Sequence, residues 1–141
     1  MSAAQLTGID DWAFVTCENL ERIEFPEGLE TIGKWAFDRC LIAELNFPDS
    51  LKCIKEGAFS CNRVVREIVM PLGLTEIGGM AFQFCNDLTS VFLPSSLKKI
   101  GKYAFGGCDK LSSILVHDSD VDRIKKLLPR KMRKFVKPLF K

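Results

Sequence analysis

Histidine and tyrosine occur once each in 141 residues, as His117 and Tyr103, and no C-x-x-C pair is present. One histidine and scattered cysteines leave too few ligands for a structural zinc site. There is no Gly-rich phosphate loop, and no acid pair clusters in register, so little remains from which to build a catalytic centre. No run approaches the ~20 consecutive apolar residues of a membrane-spanning helix. The opening residues MSAAQLTGIDDWAF lack both a basic start and a long apolar stretch, which excludes a secretory signal within them. As it stands the chain reads as cytoplasmic, or as a mature or excised part of something longer. The expectation is a non-enzymatic protein with no cofactor, no metal and no small-molecule substrate.

What the chain has in abundance is itself. Ala-Phe recurs at Ala13-Phe14, Ala36-Phe37, Ala58-Phe59, Ala81-Phe82 and Ala104-Phe105, a spacing of 22 or 23 residues. An isoleucine stands five residues before each phenylalanine (Ile9, Ile32, Ile54, Ile77, Ile100), and prolines return at Pro26, Pro48, Pro71 and Pro94. A fixed period in the twenties marks a solenoid, in which each unit buries its apolar face only against its neighbours. Cys17, Cys40, Cys85 and Cys108 each follow a repeat phenylalanine by three residues. They form one column, which is read as buried packing rather than as a disulfide framework. Two units deviate: the second is one residue short between Cys40 and Pro48, and the third has Cys61 one place early with Asn62 in the column.

Within the fourth unit, Ile77, Ala81, Phe82 and Cys85 fall at helical spacing, which predicts a short helix or 3₁₀ turn on the convex side. Val91-Phe92-Leu93 then alternates with period two and predicts a strand with Val91 and Leu93 inward, closed by Pro94. The equivalent inward pairs are Ile23/Phe25, Leu45/Phe47, Ile68/Met70 and Ile114/Val116. Gly33, Gly78 and Gly101 follow repeat isoleucines and serve the coil turn, not a nucleotide site. Charge is uneven: residues 1–118 hold 11 Lys+Arg against 16 Asp+Glu, and residues 119–141 hold 9 against 2.

The recurring pattern I-G-x-x-A-F-x-x-C-x-x-L-x-x-I-x-L-P resembles the BspA-like leucine-rich repeats over residues 6–116. The resemblance implies an α/β leucine-rich-repeat solenoid, right-handed and curved, with parallel strands on the concave face and short helices or 3₁₀ turns on the convex face. It also implies a surface-antigen-like adhesion or protein-binding role, and it carries no catalytic residues. The expected organisation is a five-coil solenoid over 1–118 and a basic amphipathic cap or tail over 119–141. Ser119 is read as the N-cap of a C-terminal capping helix.

Outward strand positions then give the candidate partner-binding face. One stripe is Arg22, Glu44, Glu67, Ser90 and Ser113; the other is Glu24, Asn46, Val69, Phe92 and Leu115. Val69, Phe92 and Leu115 make an apolar patch that either binds a protein partner or is covered by the folded-back tail. A second reading is a structural role by end-to-end or homodimeric association through an uncapped N-terminal edge. The basic tail, Arg130 to Lys141, could also meet a membrane or a nucleic acid, or simply dock. Cys53, with Thr31, Glu76 and Lys99, is expected to be exposed, and is either the reactive thiol or a bystander.

Overall fold

The computed structural model describes residues 6–139. The chain winds through successive coils whose equivalent residues stack, and each coil is hydrogen-bonded to the next on three sides. The first side is a narrow parallel sheet of two-residue strands: β1 (Gly8–Ile9), β2 (Thr31–Ile32), β3 (Cys53–Ile54), β5 (Glu76–Ile77) and β7 (Lys99–Ile100), side by side in that order. The second is a wider parallel sheet, β4 (Glu67–Val69), β6 (Ser90–Phe92), β8 (Ser113–Val116) and β9 (Val136–Pro138). The bridges Arg22↔Glu44 and Asn46↔Val69 continue it into the earlier coils. This wider sheet is the concave face.

The third side corrects an expectation. Residues 77–85 form no helix but two successive four-residue turns, closed by Ala81 N–H to the Gly78 carbonyl and Cys85 N–H to the Phe82 carbonyl. In each turn the third residue lies in the left-handed region, which a type II turn requires. The positions are Trp12 and Thr16, Trp35 and Arg39, Gly57 and Cys61, Met80 and Phe84, and Tyr103 and Gly107, with φ between 57° and 64° at the non-glycines. A non-glycine residue resists that conformation by roughly 1 kcal/mol or more. The resistance is offset because each such residue from Trp12 to Phe84 turns its N–H towards the next coil. Trp12, Phe14 and Thr16 donate to the carbonyls of Lys34, Ala36 and Asp38 at 2.7–2.9 Å, and the pattern repeats through Met80, Phe82 and Phe84. The convex side is thus a hydrogen-bonded stack of turns.

The core is a set of columns. Phe14, Phe37, Phe59, Phe82 and Phe105 stack face to face with centroids 5.1–5.6 Å apart. From Phe37 onward these rings are buried. Buried aromatics of this size dominate core energetics, and neighbouring rings add about 0.5–1.5 kcal/mol per pair. The cysteine column is a polar seam as well as packing. Cys40, Cys85 and Cys108 point their Sγ at the carbonyls of Phe14, Phe59 and Phe82, at 3.1, 3.5 and 3.1 Å. All six cysteines are free thiols.

Two cysteines depart from their expected settings. Cys17, the first in the column, is exposed, because among the described residues no coil packs on its outer side. Cys53 lies within the narrow sheet and is half-buried, and burial pushes its thiol above the ordinary value. Thr31, Cys53 and Glu76 are therefore strand residues, not free outer positions; Lys99, in β7 of the same sheet, is exposed. Cys85 is also held protonated, by its neighbour Cys108 and then by burial. Labelling of the native protein with an aromatic disulfide reagent should modify Cys17 first, with Cys53 slower and Cys40, Cys85 and Cys108 reacting only on unfolding. Equal rates at Cys17 and Cys85 would contradict this arrangement.

The tail folds onto the last coil. Asp118–Asp120 forms a 3₁₀ turn, α1 spans Val121–Leu127, and Arg130–Phe135 is a second 3₁₀ segment leading into β9. Ile124, Leu128, Met132 and Val136 are buried at four-residue intervals. Ser119 is not the N-cap: the 3₁₀ turn starts earlier, and the His117 ring nitrogen accepts the Ser119 N–H at 3.3 Å. Asp120 and Arg123 act instead as a clasp on the preceding coil. Asp120 accepts from the Ser95 hydroxyl, and Arg123 donates to the Ser95 carbonyl at 2.9 Å and meets Asp120 at 3.3 Å. The Ser95 hydrogen bond holds the Asp120 carboxyl below its ordinary value, despite an opposing effect of burial.

Candidate binding face

Strand pleating sets the geometry of the candidate face. Within β4, β6 and β8 the central residues Ile68, Val91 and Ile114 point into the core, so the flanking residues face outward. The registers are continuous: Glu67 pairs with Ser90 and Ser90 with Ser113, while Val69 pairs with Phe92 and Phe92 with Leu115. Asn46 bridges to Val69, and Arg22 to Glu44. Glu24 lines the same depression as Arg22, Glu44 and Asn46.

Among the described residues, the tail does not lie over the apolar patch. β9 continues the sheet beyond β8, placing Lys137 opposite Leu115, with its ammonium 3.2 Å from the Ser113 hydroxyl. The patch therefore runs between an acidic first part and a cationic last strand. Val69 is 68% exposed, whereas Phe92 and Leu115 are half-buried because neighbouring strands crowd both. A depression of about 720 Å³ opens beside Val69, walled by Glu44, Asn46, Glu67, Leu72 and Phe92. A smaller one of about 410 Å³ adjoins it around Arg22, Glu24 and Phe25. The Arg22–Glu44 pair is long, at 3.8 Å, and both side chains are well exposed, so it holds neither group firmly.

Two members of this surface escaped the strand pattern. Leu72 is 72% exposed and follows Pro71 in a loop. Its column otherwise holds Glu27, Asp49 and Ser95, so an apolar residue among polar equivalents was the available signal. Lys137 comes from outside the period and had no equivalent to align with. Among the described residues no group of His, Cys, Asp and Glu could hold a metal ion, and no helix is long and apolar enough to cross a membrane.

Comparison with known proteins agrees with the coil geometry. The family model described as BspA type leucine rich repeat region (6 copies) matches residues 2–112 and 64–127. No curated protein gives a significant match. Among solved structures, the Treponema pallidum leucine rich repeat protein TpLRR is 34% identical over 82% of this chain and 54% of that one, with a TM-score of 0.79. The pneumococcal vaccine antigen PcpA is 22% identical over 78% of this chain and 30% of its own, with a TM-score of 0.65. A leucine rich cell surface protein from Faecalibacterium prausnitzii is 23% identical over 78% of this chain and 36% of its own, with a TM-score of 0.56. The chain spans about half the length of the TpLRR structure and about a third of the other two. With the matched repeat covering most of its length and its coils stacked as parallel turns and strands, this chain belongs to the BspA-type leucine-rich repeat family.

Proposed function

We propose that this protein is a non-catalytic binding module that takes a protein partner on its concave face. Membership of a leucine-rich repeat family supports binding at the coarse level, since such families are generally non-enzymatic interaction scaffolds. The observation that carries the finer reading is Val69, an exposed apolar residue beside the half-buried Phe92 and Leu115, at the edge of a depression of about 720 Å³. Strand residues facing water rarely place apolar side chains in three successive coils without something to cover them. Val69, Phe92, Leu115 and Leu72 supply the apolar centre. Arg22, Glu24, Glu44, Asn46, Glu67, Ser90 and Ser113 supply a polar rim that sets orientation.

The test is a comparison of partner capture. Val69→Lys with Phe92→Lys puts two cations at the centre of the patch and is expected to weaken binding about 30-fold or more, as loss of a central hot spot does. Tyr103→Lys, on the exposed convex side, should leave capture unchanged. A partner set that survives the concave substitutions and is lost with Tyr103→Lys places the binding elsewhere.

A further inference from the structure

The apolar centre of the concave face lies between regions of opposite charge. One outward position, followed from coil to coil and into β9, reads Glu24, Asn46, Val69, Phe92, Leu115 and Lys137. It passes from a carboxylate through an amide and three apolar side chains to an ammonium.

The neighbouring outward position reinforces the anionic side. The two depressions are lined by the carboxylates of Glu24, Glu44, Asp49 and Glu67 against the guanidiniums of Arg22 and Arg66, a net −2. All six side chains belong to exposed residues. Among the described residues the one ion pair in this group is the long Arg22–Glu44 contact, so Glu24, Asp49 and Glu67 hold no cation. Val69 and Leu72, both largely exposed, share the wall of the larger depression with Glu44, Asp49 and Glu67. An acidic occupant would be repelled here. A wholly apolar one would cover the carboxylates without pairing them, and burying an unpaired charge is costly. A wholly basic one would leave Val69 and Leu72 in water.

We propose that the concave face recognises a short basic–apolar stretch of polypeptide. Its lysine or arginine side chains lie against Glu24, Glu44 and Glu67, and its apolar side chains cover Val69, Leu72 and Phe92. This rests on the reading of the concave face as the binding surface. Lys137 sets the direction, because a cation at that end is repelled and the basic residues therefore lie towards the first coils. Neighbouring strands of a sheet are about 4.8 Å apart, so the five steps from Glu24 to Lys137 cover ~24 Å, the reach of about seven extended residues. Exposed ion pairs are individually weak. Charge thus sets the preference and the encounter rate, while the apolar contacts hold the complex.

The experiment is fluorescence anisotropy of the full chain with three labelled synthetic peptides. Each carries the same central run of leucine and valine, preceded by an equal number of lysines, serines or glutamates. At low ionic strength the lysine peptide should bind about 10-fold more tightly than the glutamate peptide, with the serine peptide between them. The gap should close as salt is raised to about 1 M, where the Debye length shrinks to ~3 Å. Glu24→Lys with Glu44→Lys turns the net charge of the six groups from −2 to +2, and should reverse the order of the lysine and glutamate peptides. The reversal itself shows that this variant is folded. Val69→Ser with Leu72→Ser should weaken the lysine and serine peptides together. Equal binding of all three peptides, weakened by the serine variant, would overturn the basic preference and leave the concave face as the binding surface. A lysine preference that survives Glu24→Lys with Glu44→Lys would also overturn it. So would binding that neither variant alters, or none at all, and the capture comparison with Val69→Lys and Phe92→Lys tests the face separately.

Discussion

Replacing Phe59 with alanine is expected to destabilise the protein by about 3–5 kcal/mol, as large aromatic truncations in a packed core do. In a chain of this length that is a fall in Tm of roughly 10–20 °C. Phe59 is fully buried, stacks on Phe37 at 5.2 Å and Phe82 at 5.4 Å, and receives Phe47 edge-on at 5.6 Å. Its removal empties the middle of a column whose rings stack on one another from coil to coil. The coils on either side then share a poorer interface, and unfolding should lose its single cooperative step, because solenoid stability is a sum of unit and nearest-neighbour contributions. Phe14→Ala should cost well under half as much, since that ring is already 40% exposed and has a partner on one side. Thermal unfolding followed by circular dichroism and by differential scanning calorimetry measures both. Equal losses at Phe59 and Phe14 would contradict the column picture.

Asn62→Ala should also be damaging, by about 1–3 kcal/mol, because it leaves the buried Ile42 N–H without its acceptor. Asn62 donates to the carbonyls of Phe37 at 2.8 Å and Phe59 at 3.0 Å, and accepts the Ile42 N–H at 3.2 Å. The last bond explains the two irregular coils together. In the first, fourth and fifth coils the residue three after the column cysteine closes a turn onto it: Leu20 N–H to the Cys17 carbonyl, Leu88 N–H to that of Cys85 and Leu111 N–H to that of Cys108. The second coil lacks one residue there, so Ile42 follows Cys40 too closely to make that bond. An asparagine oxygen from the third coil supplies the acceptor instead. Cysteine could still reach the Phe37 carbonyl, as its column-mates do, but it offers only a weak acceptor for Ile42. Asn62→Cys should therefore fall between wild type and Asn62→Ala in urea denaturation. A cysteine variant as stable as the wild type would disprove the pairing of the two irregularities.

These two cases mark where the sequence was legible. The columns of Ile, Ala-Phe and Pro could be read because every coil repeats the same contacts. The short second unit and the displaced Cys61 were visible too, but their dependence on each other was not. It rests on a bond between coils that no spacing within one coil encodes. The convex turns were mistaken for helix because both structures bring every fourth residue to one side. Glycine at the left-handed positions would have separated them, but Trp12, Trp35, Met80 and Phe84 stand there. Strands of two residues, such as β3, are too short to show alternation, so Cys53 was placed outside the sheet. The outward stripes from Arg22 to Ser113 and from Glu24 to Leu115 follow from period two alone. Leu72 lies in a loop and Lys137 in a strand beyond the repeats, and period two reaches neither.

The hydrogen bonds that join the coils on all three sides run along the solenoid axis, and their mechanical consequence differs from their thermodynamic one. Tension applied between the two ends loads the coil interfaces in series. Each interface then bears the whole force, and extension proceeds by release of one coil at a time, beginning at the weakest. Among the described residues the first coil, with Phe14 and Trp12 half in water, has the least packing to hold it. The clasp of Asp120 and Arg123 on Ser95 ties the other end across two coils, so the molecule would pay out from its first coil while its last stays shut.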